Sequence, residues 1–334
     1  MNIKEIAELA KVSTTTVSRV LNNNYKNNMR PETYNRILKV INQFNYKPHA
    51  LAMGLRKGFV KIIGIIIPDN SNPYFALLCR AIEEKCFLYG YGTFFCNSNL
   101  DVERGKYYLE YLNGQKIAGI ILCNYGFKKE DVISIIGEKT NMVLLGEKIE
   151  GVNFNFIGVD DFRGGYIAAE YLYKLGHRKI LILRGPNKFL ASFERLKGFL
   201  KYMDEKDNKI DSENIITCDS TFTSGYNTIS KIIKKGLNFS AIFTFNDFLA
   251  VGVIKLLNEN GLTNKTSIIG FDNIFISEIT SPSLTTISID IKKLGEKAVT
   301  CIIDRINDNK ITKIESIFLK PRLIIRESCR KYFE

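Results

Sequence analysis

The feature that most constrains this chain is a series of short, continuous apolar runs that alternate with longer helical stretches. The runs lie at 62–67, 93–96, 118–123, 142–145, 156–159, 180–183, 215–218, 241–245 and 267–271. Runs of this length are typical of strands buried on both faces, and the helices between them are expected near 75–89 and 102–112. Because strands that alternate with helices form parallel sheets, the two successive series predict two doubly wound lobes.

Polar segments follow several of these runs, at the ends where parallel sheets bind ligands. They are 68–75, 124–125, 185–186, 246–247 and 272–273. Asn and Asp side chains that form hydrogen bonds, together with aromatic rings, are typical of a site for a hydroxyl-rich ligand. The pattern therefore predicts a binding cleft at the carboxyl ends of the strands.

Residues 1–60 have a different pattern, in which apolar residues recur at helical spacing. A second short helix is expected to begin at Ser13, whose hydroxyl oxygen can accept a hydrogen bond from a free backbone amide of the first turn. Val17 and Val20 form part of its apolar stripe, so its hydroxyls and Arg19 point elsewhere. Such a helix is suited to reading a DNA groove, because hydroxyls contact phosphates or base edges and arginine can bond guanine. The alternative is a helix of a small three-helix domain without that role.

Positive charge is concentrated in the same segment. Residues 1–61 carry 11 Lys and Arg against 3 Asp and Glu, a net charge of +8 out of +12 for the whole chain. A dense basic surface is the expected footprint of a phosphate-backbone partner, and a basic surface that only favours solubility is the alternative.

Three segments of this head resemble the lactose/galactose-repressor (LacI/GalR) family: IKEIA at 3–7, VSTTTVSRVLN at 12–22 and YKPHALAMGL at 46–55. The resemblance implies a helix-turn-helix head with a hinge helix at about 50–57, bound to double-stranded operator DNA. It assigns DNA contacts to Ser13, Thr14, Thr15, Thr16, Ser18, Arg19, Asn22, Leu55 and Arg56. Leu55 is implied to enter the minor groove as an apolar wedge that bends the duplex. Met53-Gly54 departs from the family's usual Arg-Ser at this point.

The body resembles the same family in IIPD at 66–69, SNPYF at 71–75, GVDD at 158–161, RLKGF at 195–199 and IGFD at 269–272. The resemblance implies a periplasmic-binding-protein-like body with a small-molecule effector, expected to be a sugar or sugar derivative, between its lobes. It assigns effector contacts to Asn72, Tyr74, Phe75, Tyr125, Arg195, Phe222, Asn246 and Asp272. Phe222 is included because Ser220 stands where some members have a stacking aromatic ring. Ile289 is a second departure, at a position where sugar binders often have a polar side chain.

Together these patterns predict an α-helical helix-turn-helix head at 1–60 and an α/β body of two doubly wound parallel-sheet lobes at 61–334. The N-lobe is expected at about 61–159 and 291–320, and the C-lobe at about 160–290 and 321–334. Because no leucine heptads occur near the C-terminus, we expect a homodimer and not a tetramer.

Other classes of protein are disfavoured by what the sequence lacks. It has no G-x-G-x-x-G, P-loop or G-x-S-x-G motif and only 2 histidines, so we expect no enzymatic activity. Its 7 cysteines form no C-x-x-C pair, so we expect reduced thiols, no metal site and no cofactor. We expect a cytoplasmic protein without membrane contact, because neither a signal peptide nor a spanning apolar run is present.

The expected function is sequence-specific transcriptional regulation, as a repressor that binds a near-palindromic operator under effector control. Two alternatives stay open, control by a protein partner and control by a purine-like ligand, whereas an enzyme or a sugar-binding protein that does not bind DNA is disfavoured. The sequence alone does not name the effector or the operator.

Overall fold

The computed structural model describes residues 2–21, 29–46, 59–137, 140–236, 238–307 and 314–332. The chain divides into two compact units, Met1–Lys61 and Ile62–Glu334. Within the described residues, no helix is long and apolar enough to cross a membrane.

The head contains three helices, α1 (Ile3–Leu9), α2 (Thr14–Leu21) and α3 (Pro31–Gln43). Asn2 begins the first helix, because its side chain accepts the amide protons of Lys4 and Glu5 while the Glu5 carboxylate accepts that of Asn2. The helices enclose a small apolar core formed by Ile6, Ala7, Ala10, Val17, Val20 and Ile37. Lys11, in the turn between α1 and α2, has a φ of 52°, in the left-handed region that favours glycine.

The body alternates strands with helices along most of its length. Its strands are β1 (Val60–Ile67), β2 (Gly92–Asn97), β3 (Ile117–Cys123), β4 (Met142–Leu145), β5 (Asn155–Val159), β6 (Ile180–Arg184), β7 (Ile215–Thr217), β8 (Ala241–Thr244), β9 (Ser267–Asp272), β10 (Thr285–Ser288), β11 (Ser316–Leu319) and β12 (Arg322–Ile324). Its α-helices are α4 (Pro73–Leu88), α5 (Val102–Gly114), α6 (Lys129–Ile136), α7 (Asp161–Lys174), α8 (Leu190–Asp204), α9 (Phe222–Lys234), α10 (Asp247–Glu259), α11 (Ile276–Ile279) and α12 (Ile291–Asn307).

The strands form two six-stranded sheets, one in each lobe. The first has the order β11-β5-β4-β3-β1-β2 and the second the order β12-β10-β9-β8-β6-β7. The strand pairs whose register is described are parallel, except that β12 runs antiparallel to β10. Because β11 returns to the first sheet and β12 to the second, the chain crosses between the lobes three times.

The predicted fold class is confirmed, and each of the nine apolar runs coincides with a strand to within one residue at its C-terminal end. Strands β10, β11 and β12 were not predicted, since they have only three or four residues and carry few consecutive apolar side chains. The last helix, α12, packs against α4 and β3, so it covers the first sheet although it follows the second in sequence.

Candidate functional site

A cavity of about 140 Å³ lies between the two lobes, at the carboxyl ends of the strands. The first lobe contributes Asp69, Asn72, Tyr74, Phe75, Asn124, Tyr125 and Glu147. The second lobe contributes Asp161, Phe189, Arg195, Ser220, Phe245, Asn246 and Asp272. The walls therefore combine aromatic rings with several buried hydrogen-bonding groups, as small-molecule sites do.

Arg195 makes several polar contacts in the cavity and is only 7% exposed. Its Nε lies 2.8 Å from Asp161 Oδ1, and its Nη1 lies 2.6 Å from the carbonyl oxygen of Phe245 and 3.6 Å from Asp272 Oδ1. The guanidinium carbon also lies 3.5 Å from the centre of the Phe271 ring. These contacts fix the planar guanidinium, so it can bond a ligand with little further loss of side-chain freedom.

Two glycines bring the helix that carries Arg195 close to its neighbour. A Cβ atom on Gly165 of α7 would lie 1.9 Å from the Arg195 carbonyl oxygen, and one on Gly198 of α8 would lie 1.9 Å from the Phe162 carbonyl oxygen. Only glycine permits so close an approach of two helix backbones. The pair of glycines therefore sets the depth at which Arg195 enters the cavity.

Asp272 reaches the cavity from the end of β9, where a tight turn begins. Its φ is 105° and that of Asn273 is 58°, values that residues with a side chain rarely adopt. The turn is held by Asp247, whose carboxylate accepts the Ile274 amide proton at 3.0 Å, and by Arg326, whose Nη2 donates to Asn273 Oδ1 at 2.8 Å. Surrounding bonds thus maintain a costly backbone conformation, which is typical of functional sites.

Burial makes the carboxylates of the cavity weaker acids. It raises the pKa of Asp272 to about 7, although the nearby Arg195 guanidinium acts in the opposite direction. It also raises the pKa of Glu147 to about 7, against three backbone N–H groups that lower it. Each carboxylate would gain from a ligand hydroxyl or amine that donates a hydrogen bond.

Asn72 and Asn246 occupy equivalent places in the two lobes. Each begins the helix after a strand, and its amide oxygen accepts a backbone amide proton, from Tyr74 at 3.0 Å and from Leu249 at 2.8 Å. The hydrogen bonds described for these side chains use only the oxygen, and both residues are buried. Their NH₂ groups are therefore available as donors to a ligand.

The aromatic residues divide into those that face the cavity and one that does not. Tyr74 and Phe75 pack edge to face, and Phe189 and Phe245 have ring centres 6.4 Å apart. The ring of Phe222 lies outside the lining and stacks on Tyr226. Phe245 and Phe189 thus supply the rings of the second lobe.

The second helix of the head presents polar side chains around its buried stripe. Ser13 accepts the Thr16 amide proton at 3.2 Å, which confirms it as the residue that begins this helix. Thr15 and Arg19 are exposed, and because they are four residues apart they lie on one face. Thr14, Thr16 and Ser18 are half-buried. Three predicted DNA contacts lie outside the described residues: Asn22, Leu55 and Arg56.

Comparison with protein families matches both units of the chain. Residues 2–49 match the model "Bacterial regulatory proteins, lacI family". Residues 60–327 match "Periplasmic binding proteins and sugar binding domain of LacI family". The chain belongs to the LacI family. As a LacI-family protein it is a DNA-binding transcriptional regulator, as the resemblance of the head implied.

Individual relatives are similar over the full length. The HTH-type transcriptional repressor PurR of Pasteurella multocida is 35% identical over 332 residues, which cover 98% of each chain. The lac repressor dimer bound to operator and an anti-inducer has the same fold, with a TM-score of 0.87 over 98% of each chain at 24% identity. A LacI-type regulator from Alkaliphilus metalliredigens in complex with D-xylulofuranose is 34% identical, with a TM-score of 0.72 over 80% of this chain and 98% of that one.

Seven of the eight predicted effector contacts line the cavity of this LacI-family chain, and Phe222 is the exception. Tyr125 contributes its ring only, because its hydroxyl lies within hydrogen-bonding distance of Ser98 Oγ and the Asp101 carbonyl oxygen, which share its single proton. Sequence reasoning did not include Glu147, Asp161 or Phe245 among the contacts. Phe245 ends a predicted strand, and Glu147 and Asp161 each lie two residues beyond one. Their position near the end of a strand is the signal that could have found them.

Proposed function

We propose that this chain is a transcriptional repressor that binds a near-palindromic operator as a homodimer, and that a small sugar or sugar derivative in the cleft between its lobes controls it. The observation that carries the proposal is the cavity itself, since buried acidic, basic and amide side chains from both lobes converge on one small space. A ligand that bonds both lobes stabilises one degree of closure, and such differential affinity can change the population of a DNA-binding state.

The polar groups of the cavity favour a ligand with several hydroxyls. Asp272 and Asp161 can accept hydroxyl protons, while Arg195 and the two asparagine NH₂ groups can donate to hydroxyl oxygens. Ser220 adds a buried Oγ without a described hydrogen-bond partner. Because an unpaired buried hydroxyl is costly, a ligand hydroxyl next to Ser220 would stabilise the complex. Ile289 gives one wall an apolar character, which suits the carbon face of a sugar ring.

An exposed apolar edge of the first sheet supports the dimer. Strand β2 is the last strand of that sheet, and its residues Phe94 and Phe95 are 48% and 44% exposed. At the end of the preceding helix, Phe87 and Leu88 are 77% and 76% exposed. Monomeric proteins rarely leave an apolar edge of this kind in water. A second copy of the chain is the proposed occupant, and sedimentation of Phe87→Glu, expected to be monomeric, tests it.

A purine-like effector is the second candidate, and the observation that favours it is the 35% identity to a repressor named PurR. The five aromatic rings around the cavity could also hold a planar base. Control by a protein partner is the third candidate, and it predicts that no small molecule binds the cleft tightly.

The experiment combines calorimetry with operator binding. Operator DNA is selected from random sequence with the intact protein, and its affinity is measured by fluorescence anisotropy with and without D-xylulose, D-ribose or hypoxanthine. The proposal predicts that a sugar binds and changes operator affinity, and that it does neither with Arg195→Met. Binding of hypoxanthine alone would replace the sugar with the purine, and no binding of any small molecule would contradict effector control.

A further inference from the structure

Glu147 joins the two lobes without being one of the predicted effector contacts. It follows strand β4 of the first lobe and is 8% exposed. Its Oε1 accepts the backbone amide proton of Leu190 at 2.6 Å. Leu190 is the first residue of α8 in the second lobe, the same helix that carries Arg195.

The start of α8 has no capping side chain of its own. Phe189 occupies the position before the first helical residue and offers no hydrogen-bond acceptor in its side chain. The amide protons of Leu190 and Ala191 instead point to the Glu147 carboxylate, as does that of Gly126 in the first lobe. A carboxylate at a helix N-terminus also interacts favourably with the positive end of the helix dipole. Glu147 therefore caps α8 from the opposite lobe.

Two further contacts hold the same segment against the first lobe. The Nζ of Lys188 donates to the carbonyl oxygen of Leu100 at 3.1 Å. The ring of Phe189 packs against the first-lobe core, 6.4 Å from the ring of Tyr125. The segment from Lys188 to Ala191 thus lies on the first lobe, although it belongs to the second.

We propose that Glu147 is a positioning residue that fixes Arg195 by capping its helix across the cleft, and so holds the lobes together. The contact involves only atoms of the protein, so it contributes to lobe closure whether or not an effector is bound. Its consequence for effector affinity rests on the proposed function, but the contact itself does not. Part of the free energy that favours lobe closure thus comes from the protein itself and need not come from effector binding.

Hydrogen exchange on the intact protein tests this role without any ligand. In Glu147→Ala, the amides of Leu190 and Ala191 should exchange faster. If Glu147 also holds the lobes together, the amide of Leu100 in the first lobe should exchange faster as well. Lys188 would then withdraw from the Leu100 carbonyl oxygen, and water would reach the hydrogen bond that the Leu100 amide donates to the Pro68 carbonyl oxygen. We expect an increase on the order of tenfold in both lobes, the size typical of losing a hydrogen bond to a charged group.

Two variants separate a bridge between lobes from an ordinary helix cap. Thr221→Ala removes the cap of α9, a bond made within the second lobe to the Ser224 amide, and should leave exchange at Leu100 unchanged. Glu147→Gln keeps the shape and one acceptor oxygen, so it should restore most of the protection at both sites. Glu147→Gln also serves as the test if the alanine variant does not fold. Even a partial loss of amide protection should then appear at Leu190 and at Leu100 together.

The results have distinct meanings. Faster exchange at Leu190 with no change at Leu100 would overturn the proposal and leave Glu147 as a local cap. Unchanged exchange at both sites would overturn it as well. If the parent protein binds neither D-xylulose, D-ribose nor hypoxanthine, the proposed effector fails, while the exchange experiment still decides the role of Glu147.

Discussion

Replacement of Asp272 by asparagine should stabilise the body, by an amount that grows with pH. Asparagine has nearly the same shape as a protonated aspartate, so it imitates the state that burial favours at this position. The pKa of Asp272 is about 7 in the folded chain, against an ordinary value of 3.8. Because the folded pKa is the higher one, ionisation costs stability, and the cost appears as pH rises from about 4 to 7.

The size of the effect follows from the linkage between pKa and stability. The difference of about 3 between the folded and the ordinary pKa of Asp272 corresponds to a cost of about 4 kcal/mol in folding stability at pH 8. About 1.5 kcal/mol of this cost is already present at pH 5. The advantage of Asp272→Asn should therefore grow by about 2.5 kcal/mol between pH 5 and pH 8. Glu147, whose pKa is also about 7, is present in both proteins and cancels in the difference.

Urea unfolding followed by far-ultraviolet circular dichroism is the suitable assay, because the chain has no tryptophan. Asp304→Asn, which removes an exposed carboxylate from α12, controls for the loss of one negative charge. A stability difference between Asp272→Asn and the parent that does not change with pH, or an Asp272→Asn protein that is less stable at pH 8, would refute the reasoning.

Four further predictions concern the head and the cleft. Lys11→Gly should raise the melting temperature of the head, since release from the left-handed region is worth roughly 0.5–1 kcal/mol after the entropy of glycine is counted. Arg19→Ala should cost about 1–3 kcal/mol at one base position in a selection experiment, and an equal loss of affinity for all sequences would contradict base reading by Arg19. Leu55→Ala should reduce operator bending in a gel assay and leave calorimetric effector binding intact. Ser220→Ala should lower sugar affinity by calorimetry, and equal affinities would remove Ser220 from the site.

The fold was predictable because most of its strands are continuous apolar runs. A parallel strand covered on both faces, such as β1 or β3, must be apolar at consecutive positions, and the sequence carries that pattern directly. Strand β12 has only three residues, and its place beside β10 depends on the return of the chain to the second sheet. No local pattern encodes such a distant pairing.

The site was predictable where a residue ends or closely follows a strand, as Asn246 and Asp272 do, or where the family resemblance fixed its position, as for Asn72 and Arg195. Phe222 was assigned from the gap left by Ser220, but the start of α9 directs its ring toward Tyr226. Glu147 was missed because its role depends on a helix of the other lobe, whose distance along the chain conceals the contact.

Operator affinity measured with and without the cleft ligand, in the parent and in Asp272→Ala, distinguishes control through the cleft from control by another route. The head contains no part of the cleft, so we expect both proteins to bind ligand-free operator equally well. We expect the ligand to change the affinity of the parent alone, because Asp272→Ala removes a buried acceptor of the ligand, worth about 1–3 kcal/mol or more. If Asp272→Ala bound the ligand and responded to it as the parent does, control through this cleft would be contradicted.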